Sequence, residues 1–234
     1  MFKHKILAAA GTLTAVAGLA VAGAPAASAS VPAARPQATT ACGSICNDFF
    51  NRALGDTQIL TTSGQAWGST LTLKPGSDSN QKQDFIVTEV GTLGQFVSAK
   101  VISTRSYVAL NYPSSYEVVE QEFAPASATT GHCGGLQSGH VRPGTTITLR
   151  LCGASARVLW VVDSHHAVPD SSSVVASSDA PLVNAADTRI SHPLVLTSDA
   201  SGNLTVQREK MNLGKVIDTQ QFGVRPGPAS PPVG

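Results

Sequence analysis

The chain has 234 residues, with 16 Lys and Arg against 15 Asp and Glu, a formal net charge of +1. So balanced a charge, with no basic run, excludes a nucleic-acid-tracking role and an acidic-membrane partner. Past the first 30 residues, no window approaches the ~20 apolar residues that cross a bilayer, so no membrane anchor is expected.

Residues 1–29 read as a secretory signal peptide. Lys3 and Lys5 precede an apolar stretch from Ile6 to Ala22, and Ala27-Ser28-Ala29 supplies a small-residue cleavage site. The expected location is therefore secreted and extracellular. Residues 30–47 follow as a linker carrying a cysteine pair, and residues 226–234 form a Pro-rich tail with too little apolar mass to pack. One domain over 48–225 is large enough to bury a core.

The four cysteines, Cys42, Cys46, Cys133 and Cys152, are an even number in a chain expected to be exported. Nearness in sequence favours Cys42–Cys46 and Cys133–Cys152, out of three pairings.

Three copies of one unit run through the domain. "NRALGDTQILTT" (51–62), "GSTLTLKPG" (68–76) and "KQDFIVTE" (82–89) form the first, and "SAKVISTRSYVALNY" (98–112), "GTTITLRLCG" (144–153) and "ARVLWVVD" (156–163) the second. "NAADTRISHPLVLTS" (184–198), "SGNLTVQRE" (201–209) and "DTQQFGVRP" (218–226) form the third. "TLTLK", "TITLR" and "NLTVQ" alternate with period two, which places Leu71/Leu73, Ile147/Leu149 and Leu204/Val206 on one face of a strand. Glycine and Ser/Asp clusters punctuate the strands, and no long window has helical periodicity. The chain reads as all-β, with repeats over about 48–90, 96–163 and 182–225. Within the second repeat, 113–144 reads as a long insert, and "EVVEQEF" inside it as a solvent-facing edge strand.

The closing strand of each copy carries the family resemblance. Gln83-Asp84-Phe85 and Gln220-Gln221-Phe222 stand where ricin-type lectin repeats carry Gln-x-Trp, and Val158-Leu159-Trp160 keeps the aromatic. The order and count of strands resemble the β-trefoil, with three pseudo-repeats of four strands and twelve strands in total. The resemblance implies that Phe85, Trp160 and Phe222 meet in a shared core, and that the glutamines tie neighbouring backbone together. It also implies carbohydrate binding, without catalysis and without a cofactor. Thr61, Asn111 and Thr197 stand where that family places its acidic sugar anchor.

A glycan or polysaccharide is the expected partner, and the candidate ligand-binding residues are Trp67, Asn80, Tyr112 and Tyr116. The aromatic faces of Trp67, Tyr112 and Tyr116 could stack on a sugar ring, and Asn80 would supply a polar contact. The alternative is a protein partner. The plant Kunitz-type protease inhibitors are an architectural likeness, and the 113–144 stretch, with Arg142-Pro143, would be the presented loop. His132, His140, His165, His166 and Asp163 read as exposed loop residues with no strong zinc spacing. Glu117, Glu120 and Glu122 read as a charged strand face. Neither a metal nor a catalytic residue is expected.

Overall fold

Leu71 and Leu73, Ile147 and Leu149, and Leu204 and Val206 all point into one buried apolar cluster, as their period-two spacing predicts. In the computed structural model the described residues are 46–226, excepting 78–79, 138–140, 154, 170–177 and 189–191. The segment 1–29, Cys42 and the tail from 227 lie outside them. The expected Cys42–Cys46 bridge therefore falls on one residue outside this range; Cys46 is buried. Among the described residues, no helix is long and apolar enough to cross a membrane.

The first repeat runs β1 (Asn47–Asn51), β2 (Gly55–Thr62), β3 (Leu71–Pro75) and β4 (Phe85–Thr92). Two short helices follow, α1 (Leu93–Ser98) and α2 (Tyr107–Asn111). The second repeat is β5 (Glu117–Phe123), β6 (His132–Leu136), β7 (Ile147–Leu151) and β8 (Trp160–Val162). A two-residue ribbon, β9 (Val168–Pro169) and β10 (Ser178–Asp179), leads to the third. That repeat contains β11 (Leu182–Asn184), β12 (Leu194–Ser198), β13 (Leu204–Arg208) and β16 (Phe222–Pro226). The small hairpin β14 (Met211–Asn212) and β15 (Lys215–Val216) interrupts it.

Six strands close a barrel. β1 pairs with β16, β4 with β5, β5 with β8, and β8 with β11. Ala180, beside β11, bridges Phe222 on β16, and the Val87 N–H on β4 donates to Asn47 Oδ1 on β1 at 2.9 Å. The hairpins β2–β3, β6–β7 and β12–β13 cap one end. They are joined in a ring by the bridges Thr70↔Thr148, Thr72↔Asn203 and Thr146↔Thr205. A six-stranded barrel capped by three interlocked hairpins is a β-trefoil.

Equivalent positions show how the three copies solve one packing problem. Gln83 is buried; its Nε2 donates to Thr61 Oγ1 and to the Pro75 carbonyl, both at 2.9 Å, and its Oε1 accepts from the Ser77 N–H at 2.8 Å. Gln220 repeats this with Thr197 Oγ1, the Arg208 carbonyl and the Lys210 N–H at 3.1, 2.9 and 2.7 Å. Strand register makes Gly135 the equivalent of Thr61 and Thr197. A Cβ on Gly135 would come within 2.7 Å of Val158 Cγ1. The middle copy thus replaces a Gln–Thr hydrogen bond by an apolar contact of Val158 against Gly135. Phe85, Trp160 and Phe222 lie in the shared core, with Phe49 stacked on Phe222 at 5.2 Å.

The second repeat differs from its expected outline. Residues 98–112 form no barrel strand; α1 ends at Ser98 and α2 takes Tyr107–Asn111 of that stretch. Gln95 Oε1 accepts the Thr92 N–H at 2.8 Å, and Ser106 Oγ accepts the Ala109 N–H at 3.2 Å, so each helix has a polar start. Leu93, Ile102 and Val108 sit against Val118, Val161, Val183 and Val195, a second apolar cluster on the outside of the barrel. The first strand of the repeat is β5, so 113–144 is not an insert: it holds β5 and β6. "EVVEQEF" is buried on both faces, because Val119 and Phe123 enter the barrel core while Val118 lies under the helices. Cys133 bridges Cys152 as expected, linking β6 to the residue after β7.

Glu120 is consequently buried rather than solvent-facing, and its Oε1 accepts the Gly153 N–H at 2.7 Å. Burial raises its pKa above 4.5; the Gly153 hydrogen bond opposes this, and the Glu122 charge adds to the rise. The folded state therefore holds this proton more tightly than the unfolded chain. The stabilisation is complete below the unfolded pKa and is lost as pH rises through the folded pKa. Urea midpoints of wild type and Glu120→Gln at pH 5 and pH 7.5 test this. The variant is expected to gain on wild type between the two pH values, and an equal difference at both would contradict it.

Candidate functional site

The four residues proposed from sequence occupy three different settings. Trp67 lies in the β2–β3 turn with 52% of its surface exposed, which removes it from the core. The turn is held rigidly. The Gly68 N–H donates to the Leu149 carbonyl at 2.9 Å, the Leu149 N–H to the Ser69 carbonyl at 2.8 Å, and the Ser69 N–H to the Ala66 carbonyl at 3.1 Å. The Arg150 guanidinium lies 4.8 Å from the centre of the indole ring, a cation–π contact. Asn80 caps a 3-10 turn at Gln81–Gln83, its Oδ1 accepting the Lys82 N–H at 3.2 Å. Lys82 Nζ in turn reaches the Ser63 carbonyl, at the start of the loop that carries Trp67, at 3.4 Å.

Tyr112 and Tyr116 belong elsewhere. Their rings stack at 5.3 Å at the margin of the outer apolar cluster, and Tyr107 meets Tyr112 edge-on at 6.0 Å. The Tyr112 hydroxyl donates to Asp163 Oδ2 at 2.9 Å. Burial raises the Tyr112 pKa, and the Asp163 carboxylate beside it raises it further. Its ring thus serves packing and its hydroxyl a hydrogen bond.

Asp163 is the centre of a second cluster. It is fully buried at the end of β8, where its Oδ1 accepts the backbone N–H groups of His165 and His166 at 3.1 and 3.3 Å. These bonds fold "DSHH" into a 3-10 turn, Ser164–His166, which brings His166 Nδ1 to 2.8 Å from Asp163 Oδ2. Glu209, at the end of β13, places Oε1 3.9 Å from the same nitrogen. Burial raises the Glu209 pKa; nearby His166 and His192 pull it down and Asp163 pushes it up. The adjacent Asp163 and His165 do not form a side-chain pair; Asp163 and His166 do. Little in the sequence marks Glu209, whose only local signal is the charged run "REK" after an ordinary strand.

The fold and these settings define a β-trefoil with an exposed aromatic on its cap and, on its flank, a half-buried Tyr–Asp–His–Glu cluster around the buried Asp163. No family model matches the chain, and no curated protein matches it in sequence. Solved structures similar to it include a designed threefold-symmetric protein, ThreeFoil, with TM-score 0.48 and 10% identity over 76% of this chain and 96% of that one. A mosquitocidal holotoxin gives TM-score 0.47 and 9% identity over 79% of this chain. The chain spans 17% of that holotoxin chain.

Proposed function

We propose that this chain is an exported, non-catalytic β-trefoil that binds carbohydrate on the face of Trp67. The observation that carries the reading is a half-exposed indole on a turn fixed by three backbone hydrogen bonds, with a guanidinium beside it. An aromatic face gains from covering the C–H surface of a sugar ring, and a pre-ordered one loses little conformational entropy on binding. Arg150 brings N–H donors to the edge of that surface for hydroxyl or carboxylate groups. Ligand recognition of this kind uses no cofactor and no covalent step.

Retention of the purified chain on a glycan array and on insoluble polysaccharides tests the reading. A saturable signal is expected that falls at least tenfold in Trp67→Ala, with an unchanged circular dichroism spectrum. No retention on any glycan by a folded wild-type protein would sink it, as would full retention by the variant.

A protein partner is the second reading, and one observation favours it. Leu213 is 96% exposed at φ +49° on the tip of the β14–β15 hairpin, a backbone conformation that leucine rarely adopts, between the exposed Lys210 and Lys215. This apolar tip, rather than 113–144, is the segment a protein partner would take. In the same retention assay Leu213→Asp is expected to match wild type, which separates the two surfaces.

A further inference from the structure

Asp163, His166 and Glu209 come from the end of β8, the turn after it and the end of β13, yet their ligating atoms all lie within 4.8 Å of one another. Two other buried aspartates of this protein are neutralised by arginine. Asp179 meets Arg52 at 3.0 Å, and Asp48 meets Arg225 at 2.9 Å. Among the described residues, Asp163 and Glu209 form no ion pair with an arginine; the imidazole of His166 stands between them, and His192 lies near Glu209. The Asp163 side chain is 0% exposed and that of Glu209 13%. Glu209 Oε1 is shielded from solvent and accepts no hydrogen bond. Two shielded carboxylates around one imidazole, with an oxygen left unpaired, have a cost unless a further positive charge enters.

We propose that this cluster is a zinc site, with Asp163 Oδ2, His166 Nδ1 and Glu209 Oε1 as its protein ligands. Two carboxylates and a neutral imidazole balance a divalent charge. The imidazole nitrogen selects a borderline ion over calcium or magnesium, which take oxygen ligands. Zinc bonds of roughly 2.0–2.2 Å to nitrogen and oxygen put the corners of a tetrahedron about 3.3 Å apart. The distances from His166 Nδ1, 2.8 Å to Asp163 and 3.9 Å to Glu209, lie on either side of that value. The ion takes the place of the Nδ1 proton, which leaves to solvent. His166 is 27% exposed, which gives the ion access and leaves room for water as the fourth ligand.

The surroundings orient the ligands before any ion arrives. Two backbone N–H groups hold Asp163 Oδ1, and the Tyr112 hydroxyl holds Oδ2. The His166 carbonyl accepts from Gln221 Nε2 at 3.1 Å, which ties the turn to the third repeat. Outer contacts of this type fix ligand geometry in metal sites. This site is separate from Trp67, so the zinc inference does not rest on carbohydrate binding.

The test is titration of the purified, disulfide-oxidised chain, stripped with EDTA and dialysed, with zinc chloride near pH 7. Isothermal calorimetry should give one site per chain, and the Tm should rise by about 5–10 °C at a hundredfold excess over Kd. Glu209→Gln keeps shape and removes a ligand, and His166→Ala removes another. Each is expected to lower zinc affinity at least tenfold, while His165→Ala and Trp67→Ala bind as wild type. Absence of a zinc-dependent heat or Tm shift up to millimolar zinc would overturn the proposal. So would undiminished binding in both ligand variants, which would mark adventitious surface binding, or a response to calcium in place of zinc.

Discussion

Trp160→Ala is expected to destabilise the protein by about 3–5 kcal/mol, the range for removing a large aromatic from a core that cannot close around the gap. Trp160 is the largest fully buried side chain in the molecule. It stands on a strand of only three residues, which pairs on one side with Val119 of β5 and on the other with Asn184 of β11. Its indole N–H donates to the Gly134 carbonyl at 2.9 Å in a buried setting. Truncation therefore opens a cavity on the pseudo-threefold axis and strips a buried carbonyl of its donor. Trp160→Phe separates the two effects, since Phe85 and Phe222 hold the same place in the other copies. It should cost about 1–3 kcal/mol, chiefly from the unpaired carbonyl and the smaller volume. Urea unfolding of both variants by tryptophan-independent circular dichroism is the measurement. A loss below about 1 kcal/mol for the Ala variant would show that the three aromatics do not support one another.

The same packing explains which parts of the fold could be read from sequence. The third strands have one face in the core and one toward solvent, so "TLTLK", "TITLR" and "NLTVQ" alternate visibly. The closing strands carry an aromatic at a fixed distance from a glutamine, since both jobs recur in copies one and three. The first strands were not legible for the opposite reason. β1 buries Phe49 and Phe50 in succession, and β5 buries Val118, Val119, Glu120 and Gln121 in succession, because structure covers both sides. A strand covered on both faces does not alternate. The two helices have six and five residues, too short for a 3.6-residue period to show. "HCGGL" makes sense only in the folded barrel: its glycines leave room for Val158 and receive the Trp160 N–H. Of the candidate site residues, the exposure of Trp67 depends on how three hairpins meet, which no single stretch encodes. Tyr112 and His166 were visible as residue types, but their common partner Asp163 lies 51 positions from Tyr112.

That partner carries the second large effect. Asp163→Ala, measured with a chelator present so that no cation contributes, is expected to cost about 3–5 kcal/mol. Four donors converge on one buried carboxylate: two backbone N–H groups, the Tyr112 hydroxyl and His166 Nδ1. Removing it unpins the Ser164–His166 turn and leaves a phenol hydroxyl without its acceptor under the α2 helix. Tyr112→Phe should cost far less, about 1–2 kcal/mol, because the lost hydroxyl leaves behind a carboxylate that keeps three other donors. If the network acts as a unit, the double variant should be less destabilised than the sum of the single ones, by at least 0.5 kcal/mol. Strict additivity would mean that Tyr112 and Asp163 stabilise the fold independently. The outer helices would then be held by their apolar contacts and by backbone bonds such as that from the Tyr107 N–H to the Asp187 carbonyl, and the Asp163 carboxylate would serve only the turn that presents His166.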